Sequence, residues 1–345
     1  MIRKSDINLH IGMAMLFLCT ALVLTVLPAA ADYTADKPLT EIMNGMVTGG
    51  MNYTIGNSSY SPKLWNYNST TSTGDSFYVQ LQPGLPDGAT NHSAKLYVYY
   101  TWSYLNDTNS SSNTGMEANM NVVFNGLDLG APTDHYTDQK EASGYDYPSG
   151  TCAYDVTSYV DATDPSKTYV VKVTNAEPYN GDDGDTDGDD KCSFNIQAVG
   201  LLTLYNQSGG TNKYYYIDEG CDVTYVKWTG SSWTYGIKPS DAQCVADFTN
   251  VNTNNVESAT LTTVVPSGGT PYNKLYFNSF SSGSWEGLWN ANPYADFSWT
   301  TTDVTSYLAT DNEAKMQNGL NDNNYNTDTQ MQAANAFLLV NTTTT

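Results

Sequence analysis

Asp155-Val156-Thr157-Ser158-Tyr159 is repeated letter for letter as Asp303-Val304-Thr305-Ser306-Tyr307. The tetrapeptide Ala94-Lys95-Leu96-Tyr97 precedes the first copy, and Asn273-Lys274-Leu275-Tyr276 precedes the second. An apolar run follows each copy. Short motifs that recur in the same order at similar spacing indicate two copies of one structural unit. The repeat therefore predicts two related units in tandem.

The segments around these motifs have the pattern of β-strands. Phe77, Val79 and Leu81 alternate with polar residues, which is typical of a strand with one buried face. The apolar runs, 196–205 and 333–340, predict central strands, and turn-forming residues separate the segments. The predicted fold is all-β, with few or no helices. It consists of two tandem related β-sandwich (jelly-roll-like) units, at 32–210 and 211–345.

Residues 1–31 have the pattern of a secretory signal peptide. Arg3 and Lys4 precede an apolar stretch, Ile11–Leu27, and Ala29-Ala30-Ala31 offers a small-residue cleavage site. A permanent signal anchor is the alternative that this stretch leaves open. No other stretch is apolar enough to span a bilayer, and no C-terminal anchor is expected. The mature protein is expected outside the cell, at the surface or outer envelope.

The charge of the chain restricts its partners. After residue 31 it has 12 lysines, no arginine and 35 acidic residues, which gives a formal net charge of −23. Nucleic acid and anionic lipid repel such a chain, so neither is expected as a partner. The acidity could instead attract cations.

Four cysteines remain after residue 31, an even number that predicts disulfides in an exported chain. Pairing Cys152 with Cys192 and Cys221 with Cys244 would close a loop within each unit, and we favour it. Two other pairings, and bonds between subunits, stay open on the sequence alone.

No motif in the chain marks a catalytic centre, and the protein is not expected to be an enzyme. His92 and His135 are the only histidines after residue 31, and neither belongs to a recognisable hydrolase motif. No Cys-x-x-Cys pair indicates zinc. Paired-carboxylate chemistry needs two acids across a cleft. Glu219 and Glu286, each near aromatic residues and glycine, are the acids we would test for it.

One acidic loop has the beginning of a calcium-binding pattern. Asp183, Asp185 and Asp187 alternate before Gly188, and Asp189 and Asp190 follow. Oxygen ligands at alternate positions with a glycine turn suit a hard cation. The twelfth position is Phe194 rather than Glu, so the loop is not an EF-hand. A calcium site and a solvated acidic loop are both open interpretations, and calcium is the one cofactor considered.

Eight Asn-x-Ser/Thr sequons mark candidate glycosylation sites, of which only some are expected to be used. They begin at Asn52, Asn57, Asn68, Asn91, Asn106, Asn109, Asn206 and Asn341.

The chain has 27 tyrosines and seven tryptophans. Tyrosine buries its ring while its hydroxyl finds a partner, which makes it frequent at interfaces. Subunit contacts and filling of sandwich cores are both possible uses. Trp285, Trp289 and Trp299 would suit stacking on sugar rings if they formed one exposed row.

Motifs along nearly the whole mature chain follow an order found in a known family. They are Asp36–Thr40, Thr48–Gly50, Ala94–Tyr97, Phe124–Gly126, Asp155–Thr157, Val199–Tyr205 and Tyr216–Asp222. In this order the chain resembles exported surface proteins of methanogenic archaea that share a domain of unknown function. The resemblance implies a fold and an extracellular location rather than a reaction. A short, tyrosine-rich chain without a membrane-sorting tail is similar to the sheath-forming members, which implies a tubular polymer.

Together these observations predict a structural cell-envelope protein of an archaeon that self-assembles into a sheath or surface layer. Its main partner would be itself, through β-strand edges and tyrosine-rich surfaces, with other envelope components or glycans as further partners. The alternative is a secreted carbohydrate-binding or adhesive β-sandwich module that depends on calcium.

Overall fold

Twenty β-strands make up nearly all the regular structure of the described residues. The structure is a computed structural model that describes residues 34–66, 74–106, 113–140, 146–164, 166–177, 191–226, 237–268, 272–278, 284–290, 296–320, 322 and 329–343. The first twelve strands are β1 (Thr40–Val47), β2 (Gly50–Thr54), β3 (Leu64–Trp65), β4 (Ser76–Leu81), β5 (Ala89–Asn106), β6 (Thr114–Gly115), β7 (Met120–Phe124), β8 (Leu127–Asp128), β9 (Asp134–Asp138), β10 (Ser149–Asp155), β11 (Tyr169–Asn175) and β12 (Lys191–Gln207).

The other eight strands follow in the second half of the chain. They are β13 (Lys213–Val226), β14 (Gln243–Phe248), β15 (Val256–Pro266), β16 (Asn273–Phe277), β17 (Ser284–Glu286), β18 (Phe297–Asp303), β19 (Asn312–Asn318) and β20 (Thr329–Thr342). Short 3-10 turns lie at Thr157–Tyr159, Pro239–Asp241 and Thr305–Tyr307, and the described residues contain no α-helix. The prediction of an all-β fold is confirmed. No helix in the described part of the chain is long and apolar enough to cross a bilayer.

The strands form four antiparallel sheets. Inner sheet 1 has the order β2-β12-β5-β10-β9, with β3 and β6 attached to it, and outer sheet 1 has the order β4-β11-β7-β8. Inner sheet 2 has the order β1-β13-β20-β15-β18, and outer sheet 2 has the order β14-β19-β16-β17. Inner and outer sheets of the same number enclose a hydrophobic core and form a sandwich.

The two inner sheets also pack against each other, so the sheets are stacked in four layers. In β5, Leu96, Val98 and Tyr100 face outer sheet 1. The alternate residues Tyr97 and Tyr99 face inner sheet 2. A strand buried on both faces has no solvent side, which explains why apolar and aromatic residues occupy both sets of positions.

Aromatic rings fill the layer between the inner sheets. The Phe337 ring lies 5.5 Å from the Tyr53 ring and 6.1 Å from the Tyr97 ring, centroid to centroid. Tyr97 donates its hydroxyl hydrogen to Glu219 Oε1 (2.7 Å), and Tyr99 donates to Asn335 Oδ1 (2.7 Å). Part of the tyrosine excess therefore stabilises contact within one chain, because each ring is buried while its hydroxyl has a partner.

The two copies of the pentapeptide form the same turn. In each, the aspartate accepts from the backbone N–H two residues on, at 2.9 Å. The threonine hydroxyl of each accepts from a backbone N–H in the neighbouring strand: Ala94 in β5 for the first copy, and Ala259 in β15 for the second. Each copy thus ties the end of one inner-sheet strand, β10 or β18, to its neighbour.

This geometry corrects one sequence comparison. Ala94–Tyr97 lies in β5 of inner sheet 1, whereas Asn273–Tyr276 lies in β16 of outer sheet 2. The matching tetrapeptides therefore occupy different layers, and residues 259–261 in β15 hold the place of Ala94–Leu96. The two inner sheets still share the succession β12-β5-β10 and β20-β15-β18. Common descent of the two halves remains a prediction.

Beyond this shared succession, β2 pairs with β12 and β13 pairs with β20, and the inner sheets are extended further by β9 and β1. β9 pairs with β10 at one side of inner sheet 1. β1 pairs with β13 at one side of inner sheet 2, although β1 precedes residue 210. The N-terminal segment therefore contributes to both sandwiches, with β1 in one and β2 in the other.

Candidate functional site

The most unusual chemical feature of the fold is a bulge in β13 that buries three acids. The register against β20 shifts between Glu219 and Asp222, so one extra residue is inserted there. Asp218, Glu219 and Asp222 are each 0% exposed. A carboxylate removed from water costs several kcal/mol unless it is paired, protonated or bound to a cation, by order of magnitude. We treat the region around this bulge as the candidate site.

Glu219 is fully paired, and its partners come from the other sandwich. Lys95 Nζ in β5 lies 2.6 Å from Glu219 Oε1. Tyr97 donates to the same oxygen at 2.7 Å, and Tyr136 in β9 donates to Oε2 at 3.3 Å. Burial, and then the nearby Glu219 charge, raises the pKa of the Tyr97 hydroxyl well above its ordinary value. Glu219 thus links the two inner sheets through an ion pair and two hydrogen bonds.

Asp218 has a very different environment, because other acids surround it. It is the direct cross-strand neighbour of Glu41 in β1. Neither oxygen of its carboxylate has a hydrogen-bond partner of standard geometry. Burial first, and then the negative charges of Glu41 and Asp247, raises the pKa of Asp218 to about 8, although the Asp247 backbone N–H opposes the shift. The raised pKa favours the protonated form of Asp218 in the folded protein.

Replacement of Asp218 by asparagine should flatten the dependence of stability on pH. The folded-state pKa lies above the unfolded value of about 3.9, so the stabilisation from protonated Asp218 is complete below that value and is lost as pH rises towards 8. The wild-type chain should lose free energy of unfolding between these limits, and Asp218→Asn should lose less. Urea denaturation in EDTA at half-unit pH steps measures both slopes. Equal slopes would contradict the raised pKa.

Asp222 lies at the other end of the bulge, in a cluster with two further acids. One carboxylate oxygen each of Asp36, Asp138 and Asp222 lies within 4.8 Å of the others. Asp138 is already bonded, since Lys37 Nζ contacts its Oδ1 at 2.9 Å and the Val223 N–H donates to its Oδ2 at 2.7 Å. Neither oxygen of Asp222 has a hydrogen-bond partner of standard geometry. Burial above all, with the charges of Asp138 and Asp36, raises the pKa of Asp222 to about 7, although the nearby Cys244 thiol and Ala35 N–H oppose the shift.

The thiols of Cys221 and Cys244 lie beside this cluster. Both are fully buried, and burial followed by neighbouring carboxylates raises the pKa of each thiol well above its ordinary value. All four described cysteines are free. Disulfide formation between Cys221 and Cys244 remains a prediction for an oxidising compartment.

The other favoured disulfide does not fit this fold. Cys152 in β10 pairs with Val98 of β5, whereas Cys192 in β12 pairs with Leu105 of β5. Val98 and Leu105 are seven residues apart along β5, which corresponds to about 23 Å at a rise of ~3.3 Å per residue. A disulfide needs Cα atoms about 4.4–6.8 Å apart. The prediction of a Cys152–Cys192 bond is therefore wrong, because β5 separates the two strands and the two positions lie far apart along it.

The remaining sequence candidates do not converge on one site. The acidic loop with Asp183, Asp185, Asp187, Asp189 and Asp190 lies outside the described residues. Glu286 is exposed in outer sheet 2 and pairs with Lys274 (3.3 Å), far in topology from buried Glu219. His92 Nε2 is 3.2 Å from the Tyr215 hydroxyl oxygen, and His135 Nε2 is 2.9 Å from that of Tyr100. These contacts hold strands together, and they place no two of these groups across a cleft.

The three tryptophans do not form a row. Trp289 is fully buried and donates its indole N–H to Thr263 Oγ1 at 3.0 Å. Trp285 is in outer sheet 2 and packs edge-on against Tyr307. Trp299 is 39% exposed in β18 of inner sheet 2. The sugar-stacking surface that the alternative function requires is therefore not formed by these residues.

The sequons differ in how available their side-chain nitrogen is. Asn52, Asn91 and Asn341 donate Nδ2 to Pro83 O, Thr157 O and Glu257 Oε2. Asn206 accepts from the Thr48 N–H through Oδ1. Asn57 is exposed and uses Oδ1 to accept from the Gln80 N–H, so its geometry suits a glycan best among these. The side chains of Asn68, Asn106 and Asn109 lie outside the described set.

Comparison with known proteins identifies a family but no activity. A family model described as "Protein of unknown function (DUF3344)" matches residues 32–341. No curated protein sequence matches the chain. Among solved structures, a peptide-N(4)-(N-acetyl-beta-D-glucosaminyl) asparagine amidase aligns over 88% of this chain and 97% of its own, with 11% identity and a TM-score of 0.22. The mavirus major capsid protein aligns over 83% and 88%, with 10% identity and a TM-score of 0.20.

A protein of Eubacterium rectale aligns over 77% of this chain and 69% of its own, with 11% identity and a TM-score of 0.19. Similarities of this size carry no information on the reaction, ligand or assembly of this chain.

Proposed function

The chain belongs to the DUF3344 family of proteins of unknown function, and from this premise we propose that it is a structural protein of the cell surface that assembles with copies of itself. In its finer form the proposal is an extracellular sheath or surface layer of an archaeon. The observation that carries it is the open edge strand β18 of inner sheet 2, with the edge strand β2 of inner sheet 1 in contact with it.

Each inner sheet ends in an edge strand, β2 in inner sheet 1 and β18 in inner sheet 2. The described strands give β2 a partner only in β12, and β18 a partner only in β15. The Trp299 ring of β18 lies 5.5 Å from the Tyr53 ring of β2, so the two edges are adjacent. β10, which precedes the first pentapeptide as β18 precedes the second, has β9 on its outer side. An added strand is therefore compatible with this type of edge.

The sequence of β18 lacks the usual protection against edge pairing. Soluble proteins block exposed edges with lysine, proline, bulges or very short strands. β18 reads Phe-Ser-Trp-Thr-Thr-Thr-Asp, pairs without a register shift, and carries a charge only at its last residue, Asp303. Threonine and aromatic residues favour strands. This edge is suited to backbone pairing with a strand from another molecule.

Pairing of this kind extends beyond two copies. The other edge of each inner sheet is formed by a different strand, β9 or β1. A contact between one edge of a sheet and the other edge of the same sheet in the next copy joins two different surfaces, so it is heterologous. Such contacts repeat indefinitely unless the rotation between copies closes them into a ring. One such contact through β18 would continue inner sheet 2 from copy to copy. This arrangement supports a fibre or layer.

Electron microscopy of the chain without residues 1–31, at rising concentration, tests the proposal. We expect ordered polymers from the wild type, and shorter or no polymers from Thr301→Lys, which puts a lysine at an exposed position of β18. Thr249→Lys makes the same change at an exposed position after β14 and should polymerise normally. Wild-type monomers or closed dimers at every concentration would overturn the proposal.

A further inference from the structure

We propose that Asp36, Asp138 and Asp222 form a binding site for a divalent cation of the hard, oxygen-preferring class, with calcium as its occupant. The site is distinct from the acidic loop at 183–190, and it does not depend on the proposed assembly. Its three ligands come from separate parts of the chain: the segment before β1, the end of β9 and the bulge of β13. Their oxygens lie within 4.8 Å of one another, and oxygens that share one calcium ion lie at 2.3–2.6 Å from it, roughly.

Asp222 is the observation that distinguishes this cluster from an ordinary acidic patch. Its side chain is 0% exposed, it belongs to the cluster, and neither of its oxygens has a hydrogen-bond partner of standard geometry, although the Cys244 thiol and the Ala35 N–H lie nearby. Buried polar groups in native proteins are nearly always satisfied, so a buried carboxylate without a partner of standard geometry is a position where a bound cation would be stabilising. A cation at this position would supply the missing partner.

Lys37 does not fill that role. Its ammonium group contacts Asp138 Oδ1 and donates to the Thr137 carbonyl, both at 2.9 Å. Asp138 Oδ2 accepts from the Val223 N–H. Lys37 therefore offsets one of three carboxylates, and a net negative charge remains for the ion. Because Asp36 is exposed, solvent reaches the cluster from the side of Asp36.

The ligand chemistry selects the class of ion. All three grouped side chains offer carboxylate oxygen, which favours calcium or magnesium over softer metals. Calcium accepts six to eight oxygens in irregular geometry, so waters and backbone carbonyls complete its shell without an ideal octahedron, as a general rule. Cys221 and Cys244 lie close by, and a site that used their thiols would instead prefer zinc.

The site can be isolated experimentally from the other acidic candidate. The background variant is the chain without residues 1–31 in which asparagine replaces Asp183, Asp185 and Asp187. This variant is titrated with Tb³⁺, and binding is followed by Tb³⁺ luminescence excited through aromatic residues of the protein. We expect one site from which Ca²⁺ displaces Tb³⁺. Asp36→Asn and Asp222→Asn should each weaken binding by more than about tenfold. Loss of a residue that only hydrogen-bonds to a metal ligand already causes a loss of about that size. Asp87→Asn is the control, because it removes an exposed carboxylate outside the cluster. It should bind Ca²⁺ as tightly as the background variant does.

Asp36→Asn keeps the test valid if Asp222→Asn fails to fold, because Asp36 is exposed. Calcium affinity that is unchanged in Asp36→Asn would overturn the proposal, as would absence of displacement by millimolar Ca²⁺. Zinc binding that is tighter than calcium binding and protects the thiols from alkylation would overturn the assignment of the ion.

Discussion

Replacement of Lys95 by methionine is expected to lower the free energy of unfolding by about 3–5 kcal/mol, the usual cost of leaving a buried charge without its partner. Lys95 Nζ lies 2.6 Å from Oε1 of Glu219, whose side chain has no exposed surface. The hydrogen bonds from Tyr97 and Tyr136 remain in the variant but carry no full positive charge. Guanidinium denaturation of the wild type and variant measures the difference.

Two control variants separate the effect of leaving Glu219 buried without its partner from the effect of removing a lysine. Lys274→Met removes a lysine whose partner, Glu286, is 59% exposed, and should cost no more than about 1 kcal/mol. The double variant Lys95→Met/Glu219→Gln should recover part of the loss, because the unpaired charge is gone. A Lys95→Met effect no larger than that of Lys274→Met would show that Glu219 is not held as a buried ion.

Replacement of Phe337 by alanine should cost about 3–5 kcal/mol, as for other large buried rings. Phe337 lies in β20 and is fully buried between the inner sheets, in contact with Tyr53 and Tyr97. The sheets are too firmly connected by hydrogen bonds and by Glu219 to close over the missing ring. Denaturant unfolding, followed by tyrosine fluorescence and by far-UV circular dichroism, measures the loss.

Tyr78→Ala is the matched control, because it removes an aromatic ring that is 60% exposed on outer sheet 1. Its effect should stay within about 0.5 kcal/mol. If Phe337→Ala costs as little as Tyr78→Ala, the layer between the inner sheets does not contribute to stability.

Local patterns in the sequence predict much of this fold. The alternation of Phe77, Val79 and Leu81 corresponds to β4, and the apolar run 196–205 lies within β12. Asn125 and Gly126 form the predicted tight turn between β7 and β8, with φ of 50° and 88°, the left-handed values of a two-residue hairpin. These features depend on neighbours in the chain, so the chain itself carries the signal.

Features that depend on distant neighbours escaped the sequence analysis. Ala94–Tyr97 matches Asn273–Tyr276 in letters, but strand pairing rather than letters decides the layer to which each belongs. The acids of Tyr216–Asp222 are visible as a motif, yet their burial depends on Lys95, over a hundred positions earlier, and on the segment before β1. Three acids within a run of tyrosine, isoleucine and valine were the available signal, since charges seldom occupy both faces of a strand.

The position of the first two strands has a consequence for how the chain matures. β1 and β2 are the earliest strands to be synthesised, but β1 pairs with β13 and β2 with β12, more than 140 positions later. Ribosomes add about 5–20 residues each second, so these segments wait for many seconds as unpaired strands. Pairing between distant segments is also slow in itself. Among the described strands, β1 and β2 thus wait through the longest stretches of synthesis for their partners, and a chaperone that binds extended segments would have most time to act on them.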